Sequence, residues 1–205
     1  MKLLEPSALS MPANILNGQL RSLFITAPYE KIGCTTATVS LAHSLAHFVS
    51  EHILVIDGNN KSSNLSNQLG IGDQQGFCNL LNLADDFDIA FLTHQQPDYG
   101  FDVLPYGVDC HTKKTSCKYV GAVLDKLKEH YQYLLFDSPS IYLNYEVLVM
   151  APMFDGVILV LESEKTRWEV AQTMTERLQH SGAKVAGAIF NRRKYYLPKW
   201  VYKLL

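Results

Sequence analysis

A turn near the start of the chain has most of the residue types that bind phosphate. Residues 26–36 read T-A-P-Y-E-K-I-G-C-T-T and lie between an apolar segment and a segment of helical period. In a phosphate loop, G-x-x-x-x-G-K-[S/T], backbone N–H groups surround phosphate oxygens, the lysine reaches the outer phosphates and the hydroxyl holds magnesium. The chain keeps the second glycine as Gly33 and the hydroxyl as Thr35. Because Pro28 replaces the first glycine and Cys34 the lysine, the sequence predicts a phosphate-type turn without its cation.

Two further apolar segments, residues 53–57 and 134–137, each end in an aspartate. Carboxylates at strand ends can hold or orient a hydrated magnesium ion. Either aspartate alone is better explained as a helix cap or a turn residue, but two of them beside a phosphate-type turn favour a nucleotide site. We therefore expect Thr35, Asp57 and Asp137 to hold Mg²⁺ if a nucleotide binds, with Asp57 as a vestigial catalytic group.

Short apolar segments alternate with segments of helical period along the chain, which is typical of parallel strands joined by crossover helices. The predicted strands are 22–26, 53–57, 101–105, 133–137, 156–162 and 184–191. Amphipathic helices are predicted at 35–50, near 119–127 and near 168–178, and Gly182 stands where the last of them would end. The pattern predicts an α/β fold: a doubly wound, mostly parallel sheet with helices on both faces, in the three-layer arrangement of P-loop NTPases.

The length and charge of the chain suggest one domain with two short appendages. With 205 residues, 47% of them apolar, the chain can form one sizeable core, which excludes a disordered protein or a disulfide miniprotein. We expect an N-terminal arm (1–20), a P-loop NTPase-like domain (21–191) and a basic, aromatic C-terminal tail (192–205). The net charge of −2 hides an acidic body, since six basic and no acidic residues lie from position 184 onward. An acidic body is a poor surface for nucleic acid, so no nucleic acid partner is expected.

The cysteines and histidines give no metal-binding pattern. Four cysteines without a signal-like start predict a reduced, cytosolic protein: Cys34, Cys78, Cys110 and Cys117. Cys110, His111 and Cys117 lack the spacing of a metal site, so ordinary loop thiols explain them better. A helix N-terminus lowers thiol pKa, so Cys34 could be a reactive thiol. His43 and His47 are spaced for one helix face, but without a third ligand they are better explained as a solvated or half-buried face.

Seven segments in one order resemble the bacterial tyrosine kinase family, the BY-kinases or capsular exopolysaccharide autokinases. These kinases are a branch of the deviant-Walker ATPases that includes the MinD and ParA types. The segments are G-C-T-T (33–36), I-L-V-I-D-G-N-N-K (53–61), G-F-C-N-L-L (76–81), F-D-V-L-P-Y-G (101–107), Y-L-L-F-D-S-P (133–139), F-D-G-V-I-L-V (154–160) and A-G-A-I-F-N-R (186–192). The resemblance covers about residues 20–200.

The resemblance implies a site for ATP or ADP with Mg²⁺. Its nucleotide-binding residues would be Gly33, Cys34, Thr35, Thr36, Asp57, Asp137 and Asn191. Asn191 resembles the asparagine that contacts the base in deviant-Walker relatives, although a strand-ending turn residue explains it equally well. The family phosphorylates a tyrosine-rich tail, which makes Tyr195, Tyr196 and Tyr202 the candidate phosphorylation sites.

The departures from the family pattern fall on chemical positions. Cys34 replaces the Walker lysine, Asn59 replaces the second carboxylate of the segment that follows the second strand, and Lys61 replaces its arginine. Losing the lysine removes the cation that follows the leaving phosphates. We therefore expect a degenerate, pseudokinase-like member without efficient kinase or ATPase activity.

The resemblance implies a role as a regulatory or scaffolding partner in exopolysaccharide or capsule biosynthesis and export. The implied partner is an inner-membrane polysaccharide co-polymerase, or other exopolysaccharide machinery, engaged from the cytoplasm. The basic, aromatic tail at 192–205 suggests a cytoplasmic protein that lies peripherally against the inner membrane.

Two alternatives remain open at this point. The first is an active, ATP-binding tyrosine autokinase or ATPase of the same pathway, in which backbone N–H groups hold the phosphates and Lys31 supplies a cation from within the turn. The second is a positioning protein of the MinD or ParA type, whose basic tail would meet headgroups or nucleic acid.

Overall fold

The protein is described by a computed structural model that covers residues 13–50, 52–61, 64–81, 89–110, 117–142 and 144–193. Its strands are β1 (Ser22–Thr26), β2 (Ile53–Asp57), β3 (His94–Gln96), β4 (Phe101–Leu104), β5 (Tyr133–Asp137), β6 (Gly156–Glu162) and β7 (Val185–Asn191). Its helices are α1 (Ala13–Leu16), α2 (Cys34–Phe48), α3 (Leu65–Gln68), α4 (Phe77–Leu80), α5 (Cys117–His130), α6 (Glu146–Met150) and α7 (Trp168–His180). Two 3₁₀ turns cover Ile89–Phe91 and Ala151–Met153.

The strands form one sheet in the order β3-β4-β2-β5-β1-β6-β7. All neighbours are parallel except β3, which pairs antiparallel with β4 at one edge. Helix α2 packs on one face, whereas α5 and α7 pack on the other. The predicted doubly wound, mostly parallel three-layer fold is therefore confirmed.

The central strands are buried on both faces, which explains their almost continuous apolar sequences. Every residue of β1, β2 and β5 is buried, including the aspartates that end β2 and β5. Phe24 of β1 and Phe136 of β5 pack with Phe154, with ring centroids 5.1–5.3 Å apart. Burying each such ring contributes about 1.5–3 kcal/mol, so this cluster anchors the middle of the sheet.

Strand prediction fails where the local pattern is weak. The strand β3 has the sequence H-Q-Q, which lacks the apolar residues that mark a strand. It forms because the chain turns back at Gly100, whose φ of 75° is left-handed, and pairs with the edge of β4. The predicted strands at 101–105 and 184–191 are each one residue too long, and α2 begins one residue earlier and ends two residues earlier than predicted.

The end of the predicted N-terminal arm packs against the sheet. Ile15 of α1 is only 1% exposed, and the Tyr133 hydroxyl donates a hydrogen bond to its carbonyl oxygen at 3.0 Å. At the other end of the chain, Tyr195, Tyr196 and Tyr202 lie outside the described residues. None of the helices in the described ranges is long and apolar enough to cross a bilayer.

One cysteine prediction is corrected by the fold. Cys78 of α4 and Cys110, in the loop after β4, are paired as a disulfide with their Cα atoms 5.8 Å apart. They were expected to be reduced, because the chain starts without a signal-like pattern. Backbone hydrogen bonds from the Phe77 and Cys78 N–H groups to the Pro105 and Tyr106 carbonyls, each 2.8 Å, bring the two segments together.

Candidate functional site

The turn between β1 and α2 curls at two left-handed residues. Lys31 has φ 62° and Gly33 has φ 94°. The side-chain amide of Asn191, at the end of β7, donates to the Ile32 carbonyl at 2.7 Å and holds the turn in place. Glycine is favoured there by its φ, and a Cβ atom, 2.3 Å from that amide nitrogen, would also displace the Asn191 side chain from the turn. The turn therefore delivers the chain directly into α2, whose N-terminus can attract an anion.

Cys34, in the place of the lysine, directs its thiol toward the sheet. Its Sγ lies 3.5 Å from the Ile25 carbonyl oxygen and 3.8 Å from that of Ser138. Burial, followed by the negative charge of Asp137, raises the pKa of the thiol well above its ordinary value. The expectation of a lowered pKa at the helix N-terminus is thus wrong, because desolvation outweighs the helix dipole. Cys34 supplies neither a cation nor a thiolate.

Asp137 lies beneath the first turn of α2 and is 1% exposed. Its Oδ1 accepts a hydrogen bond from the Thr38 hydroxyl at 3.3 Å, whereas Oδ2 has no hydrogen-bond partner among the described residues. The pKa of Asp137 is raised to about 7, mainly by burial and to a smaller extent by the charge of Asp57, although hydrogen bonding from Thr35, Cys34 and Thr38 lowers it. Asp137 is thus a buried carboxyl group that changes charge near neutral pH.

Asp57 stands beside Asp137 on the neighbouring strand, in register with it. Its Oδ1 accepts from the Asn59 N–H at 3.0 Å, and its Oδ2 accepts from the Ser66 N–H at 2.8 Å and from the Ser66 hydroxyl at 2.5 Å. Burial raises its pKa even though these hydrogen bonds oppose the shift. Both oxygens of Asp57 therefore already support the loop between β2 and α3.

A cleft of about 490 Å³ opens above the turn. Four of the predicted nucleotide-binding residues line it, Gly33, Cys34, Thr35 and Thr36. Its charged lining residues are Glu30, Lys31, Lys61 and Arg192. The basic lining was not predicted as a group, because Lys61 and Arg192 follow different strands. The signal available in the sequence was their position: each comes just after the carboxyl end of a strand, where ligands bind in this kind of sheet.

The residues present fit a nucleotide with magnesium. Mg²⁺ prefers oxygen ligands, and the Thr35 hydroxyl and the unpartnered Asp137 Oδ2 are such donors at one place. Phosphate would be held by backbone N–H groups of the turn and by the α2 N-terminus. Bound Mg²⁺ would supply charge neutralisation between phosphate oxygens. Thr35 and Asp137 are thus better placed than Asp57 to hold the ion.

Asn191 belongs to the site through the turn. Its amide nitrogen is used by the Ile32 carbonyl, and its Oδ1 accepts from the Arg192 N–H at 2.9 Å. The role of Asn191 in contacting a base stays a prediction. Away from this cleft, the His43 and His47 rings hydrogen-bond to each other at 3.2 Å. Within the ranges that the structure covers, no three His, Cys, Asp or Glu side chains converge as a metal site.

Comparisons with known proteins agree with the fold and the turn. The family model described as "Cellulose biosynthesis protein BcsQ" matches residues 28–174. The tyrosine-protein kinase CpsD of Streptococcus agalactiae is 27% identical over 173 residues, which cover 83% of this chain and 74% of that protein. The crystal structure of the VpsO kinase domain superposes with a TM-score of 0.75 at 27% identity and covers 87% of both chains.

A more distant neighbour supports the fold alone. The cell division protein MinD of Aquifex aeolicus superposes with a TM-score of 0.65 at 18% identity, covering 89% of this chain and 72% of that one. Together with the kinase matches, this places the sheet among the P-loop NTPases and confirms the resemblance to the bacterial tyrosine kinases. The chain belongs to the family described as cellulose biosynthesis protein BcsQ, and it is similar to bacterial tyrosine kinases in sequence and in fold.

Proposed function

We propose that this chain is a catalytically impaired kinase-like protein that binds ATP or ADP with Mg²⁺ without efficient phosphoryl transfer. The observation that carries the proposal is the direction of Cys34, whose thiol faces the Ile25 and Ser138 carbonyls at the base of the turn. The turn, the Thr35 hydroxyl and the unpartnered Asp137 oxygen retain the means to bind. The chain is therefore expected to bind the nucleotide although it does not transfer phosphate efficiently.

The charge requirements of phosphoryl transfer explain the impairment. Transfer depends on cations positioned against the charge that develops on the phosphate oxygens. The neutral Cys34 thiol provides none, and Asn59 provides an amide where the family has a carboxylate. The Asn59 Oδ1 accepts from the Lys61 N–H at 3.2 Å, so this side chain shapes its loop. Both substitutions remove chemical groups while leaving the local backbone supported.

The names of the relatives suggest the biological process in which this chain acts. The kinases CpsD and VpsO and the cellulose biosynthesis protein BcsQ are the proteins that this chain resembles. We infer a regulatory or scaffolding role in exopolysaccharide or capsule biosynthesis and export. Its partner would be an inner-membrane polysaccharide co-polymerase or other exopolysaccharide machinery, engaged from the cytoplasm. The basic segment from residue 192 onward would lie toward the membrane surface.

Titration and turnover measurements test the proposal together. Isothermal titration with ATP and ADP in the presence of Mg²⁺ is expected to give binding, and autophosphorylation and ATPase assays are expected to give no turnover above background. The double substitution C34K/N59D restores the two chemical groups and should raise ATP turnover at least tenfold, since one positioned cation alone is commonly worth more. Efficient tyrosine phosphorylation by the unmodified chain would disprove the impairment.

One observation favours an active enzyme as the second candidate. Three basic side chains, Lys31, Lys61 and Arg192, line the cleft above the turn. If one of them served in catalysis, the unmodified chain would turn over ATP, and C34K/N59D would add little. The same assays therefore separate the two functions.

A further inference from the structure

Lys61 reaches the phosphate-type turn from outside it. The lysine lies in the loop between β2 and α3, and its ammonium group forms an ion pair with the Glu30 carboxylate of the turn. Both side chains line the cleft above Gly33 and Thr35. The pair is partly shielded, with 42% of the Lys61 side chain and 36% of the Glu30 side chain exposed. A second cation besides Lys31 thus lies at the turn in which Cys34 replaces the Walker lysine.

The cleft has a second feature that indicates an anionic ligand. Ser140 lines it and is 7% exposed, yet its hydroxyl has no hydrogen-bond partner within the described part of the chain. Leaving a buried hydroxyl unpaired costs about 1–3 kcal/mol, so a ligand oxygen at this place would relieve that cost. The 15-residue helix α2 also begins in the cleft and favours negative charge there.

Lys61 is the basic residue best positioned for such an anion. Arg192 is exposed and its guanidinium is already engaged, donating to the Glu162 carboxylate at 3.1 Å and to the Lys31 carbonyl at 2.7 Å. Lys31 is likewise exposed. Lys61 is half-buried, and a half-buried charge interacts more strongly with a ligand because solvent screens it less.

The loop that carries Lys61 is held by the residue that replaces a family carboxylate. The Asn59 Oδ1 accepts from the Lys61 N–H, and the Asn59 carbonyl accepts from the Asn64 side-chain amide at 2.7 Å. The Asn59 N–H in turn donates to Asp57. A neutral residue at position 59 leaves the Lys61 ammonium without an anionic neighbour in its own loop.

We propose that Lys61 replaces the missing lysine as the phosphate-binding cation, and that Glu30 is its internal counterion, which the phosphate must displace. The inference rests on the proposed function, because the same cleft is taken to bind ATP or ADP. The Glu30 carboxylate would compete with the ligand for one ammonium group. The affinity for phosphate is then set in part by the intramolecular Lys61–Glu30 ion pair.

A double-mutant cycle tests the inference. Inorganic pyrophosphate and ADP, each with Mg²⁺ at low ionic strength, are titrated into the wild type, E30Q, K61A and E30Q/K61A. We expect E30Q to tighten binding about twofold to fivefold, the range of a partly exposed ion pair, and K61A to weaken it about tenfold. In the absence of Lys61, E30Q should give no gain.

Two further variants separate charge at this place from general effects. K61R keeps the positive charge and should restore most of the affinity lost in K61A. K184A removes an exposed lysine at the start of β7, at the opposite end of the strands from the cleft, and should change binding less than twofold. Equal thermal midpoints of K61A and the wild type would confirm that K61A is folded.

The outcomes distinguish failure of this inference from failure of the proposed function. If the wild type binds both ligands and K61A binds them equally well, the role of Lys61 is overturned while nucleotide binding stands. If E30Q tightens binding to the same extent with and without Lys61, the counterion role of Glu30 is overturned. If neither the wild type nor E30Q binds either ligand, nucleotide binding itself is disproved, and this inference with it.

Discussion

At the residue scale, burial decides the charge of the carboxyl group that lies beneath Cys34. Asp137 is buried beside the Cys34 thiol and in register with Asp57. Desolvation is the largest cause and raises the pKa of Asp137 to about 7, even though hydrogen bonding from Thr35 and from the Cys34 thiol lowers it. The candidate Mg²⁺ ligand Asp137 therefore changes its protonation state near neutral pH.

Asp137 should make the protein less stable as the pH rises. Its pKa is about 7 in the folded chain and 3.8 in the reference state, so the folded chain binds this proton more tightly. The free energy of unfolding should therefore increase as the pH falls from 8 to 5, as far as this group is concerned. In D137N the side chain at position 137 carries no charge. The free energy of unfolding of D137N at pH 8 should therefore be about 2–4 kcal/mol higher than that of the wild type.

Urea unfolding of both proteins at several pH values measures this difference. The difference between D137N and the wild type in free energy of unfolding cancels the contributions of distant titrating groups and should shrink toward pH 5. Asp57 is coupled to Asp137 and its pKa is also raised, so its contribution has the same sign and is part of the measured difference. A difference that is constant between pH 5 and pH 8 would contradict the raised pKa of Asp137.

The Cys34 thiol should react slowly in the folded protein. The reactive form is the thiolate, and burial keeps this thiol protonated. In a C117S background, the rate of labelling by a disulfide reagent at pH 8 should be lower than that of the urea-unfolded chain by on the order of 100-fold. A native rate equal to the unfolded rate would show that the thiol faces solvent.

At the element scale, α4 depends on close contact with the chain after β4. Gly76 precedes α4, and a Cβ atom there would lie 2.0 Å from the Pro105 carbonyl oxygen and 2.9 Å from the Gly107 nitrogen. These are backbone atoms that cannot move aside as a flexible side chain could. The conformation needs glycine for space, because its φ of −165° is open to any residue.

G76A should therefore destabilise the protein by about 2–4 kcal/mol, as measured by chemical unfolding. G121A is the matched control, because a Cβ atom at this position of α5 would meet nothing within 4 Å. In a helix interior, this control change should stabilise by about 0.5–1 kcal/mol. Equal effects of the two substitutions would mean that Gly76 makes no close contact with the Pro105 segment.

At the scale of the whole molecule, the disulfide connects two segments that the sheet topology brings together. Cys78 and Cys110 are 32 positions apart, and α4, β3 and β4 lie between or beside them. Closing a loop of that length restricts the unfolded chain and contributes about 3–4 kcal/mol in the chain-entropy description. The Cys78–Cys110 bond also lies close to the loop at Tyr106, whose N–H donates to the Ser66 hydroxyl at 3.0 Å.

Thiol counting and unfolding test this pairing. The pairing removes two of the four thiols. The denatured, unreduced protein should therefore react with two equivalents of thiol reagent fewer than the denatured, reduced protein. C78S/C110S should lower the free energy of unfolding by about 3–4 kcal/mol. Four reactive thiols without reductant would contradict the pairing and leave the predicted reduced state.

The sequence alone predicts the sheet because its strands are locally coded. Segments such as Ile53–Asp57 and Tyr133–Asp137 are apolar on both faces, and the bounds of four of the six predicted strands match the structure. The turn is predicted for the same reason, since Gly33 and Thr35 stand at fixed spacing next to a strand. The three-residue edge strand β3 is missed because its polar sequence carries no period.

Which side chains share the candidate site is decided by the tertiary structure. The Lys61–Glu30 pair, the contact of Asn191 with the turn and the Cys78–Cys110 bond all join residues far apart in the sequence. Likewise, the direction of the Cys34 thiol and the pKa of Asp137 depend on burial. Sequence spacing determines strands, helices and turns through local geometry, whereas contacts and desolvation arise only after the sheet has assembled. The sequence therefore determines the family resemblance and shows that Cys34 replaces the lysine. Only the tertiary structure brings Lys61, the proposed replacement cation, to the turn.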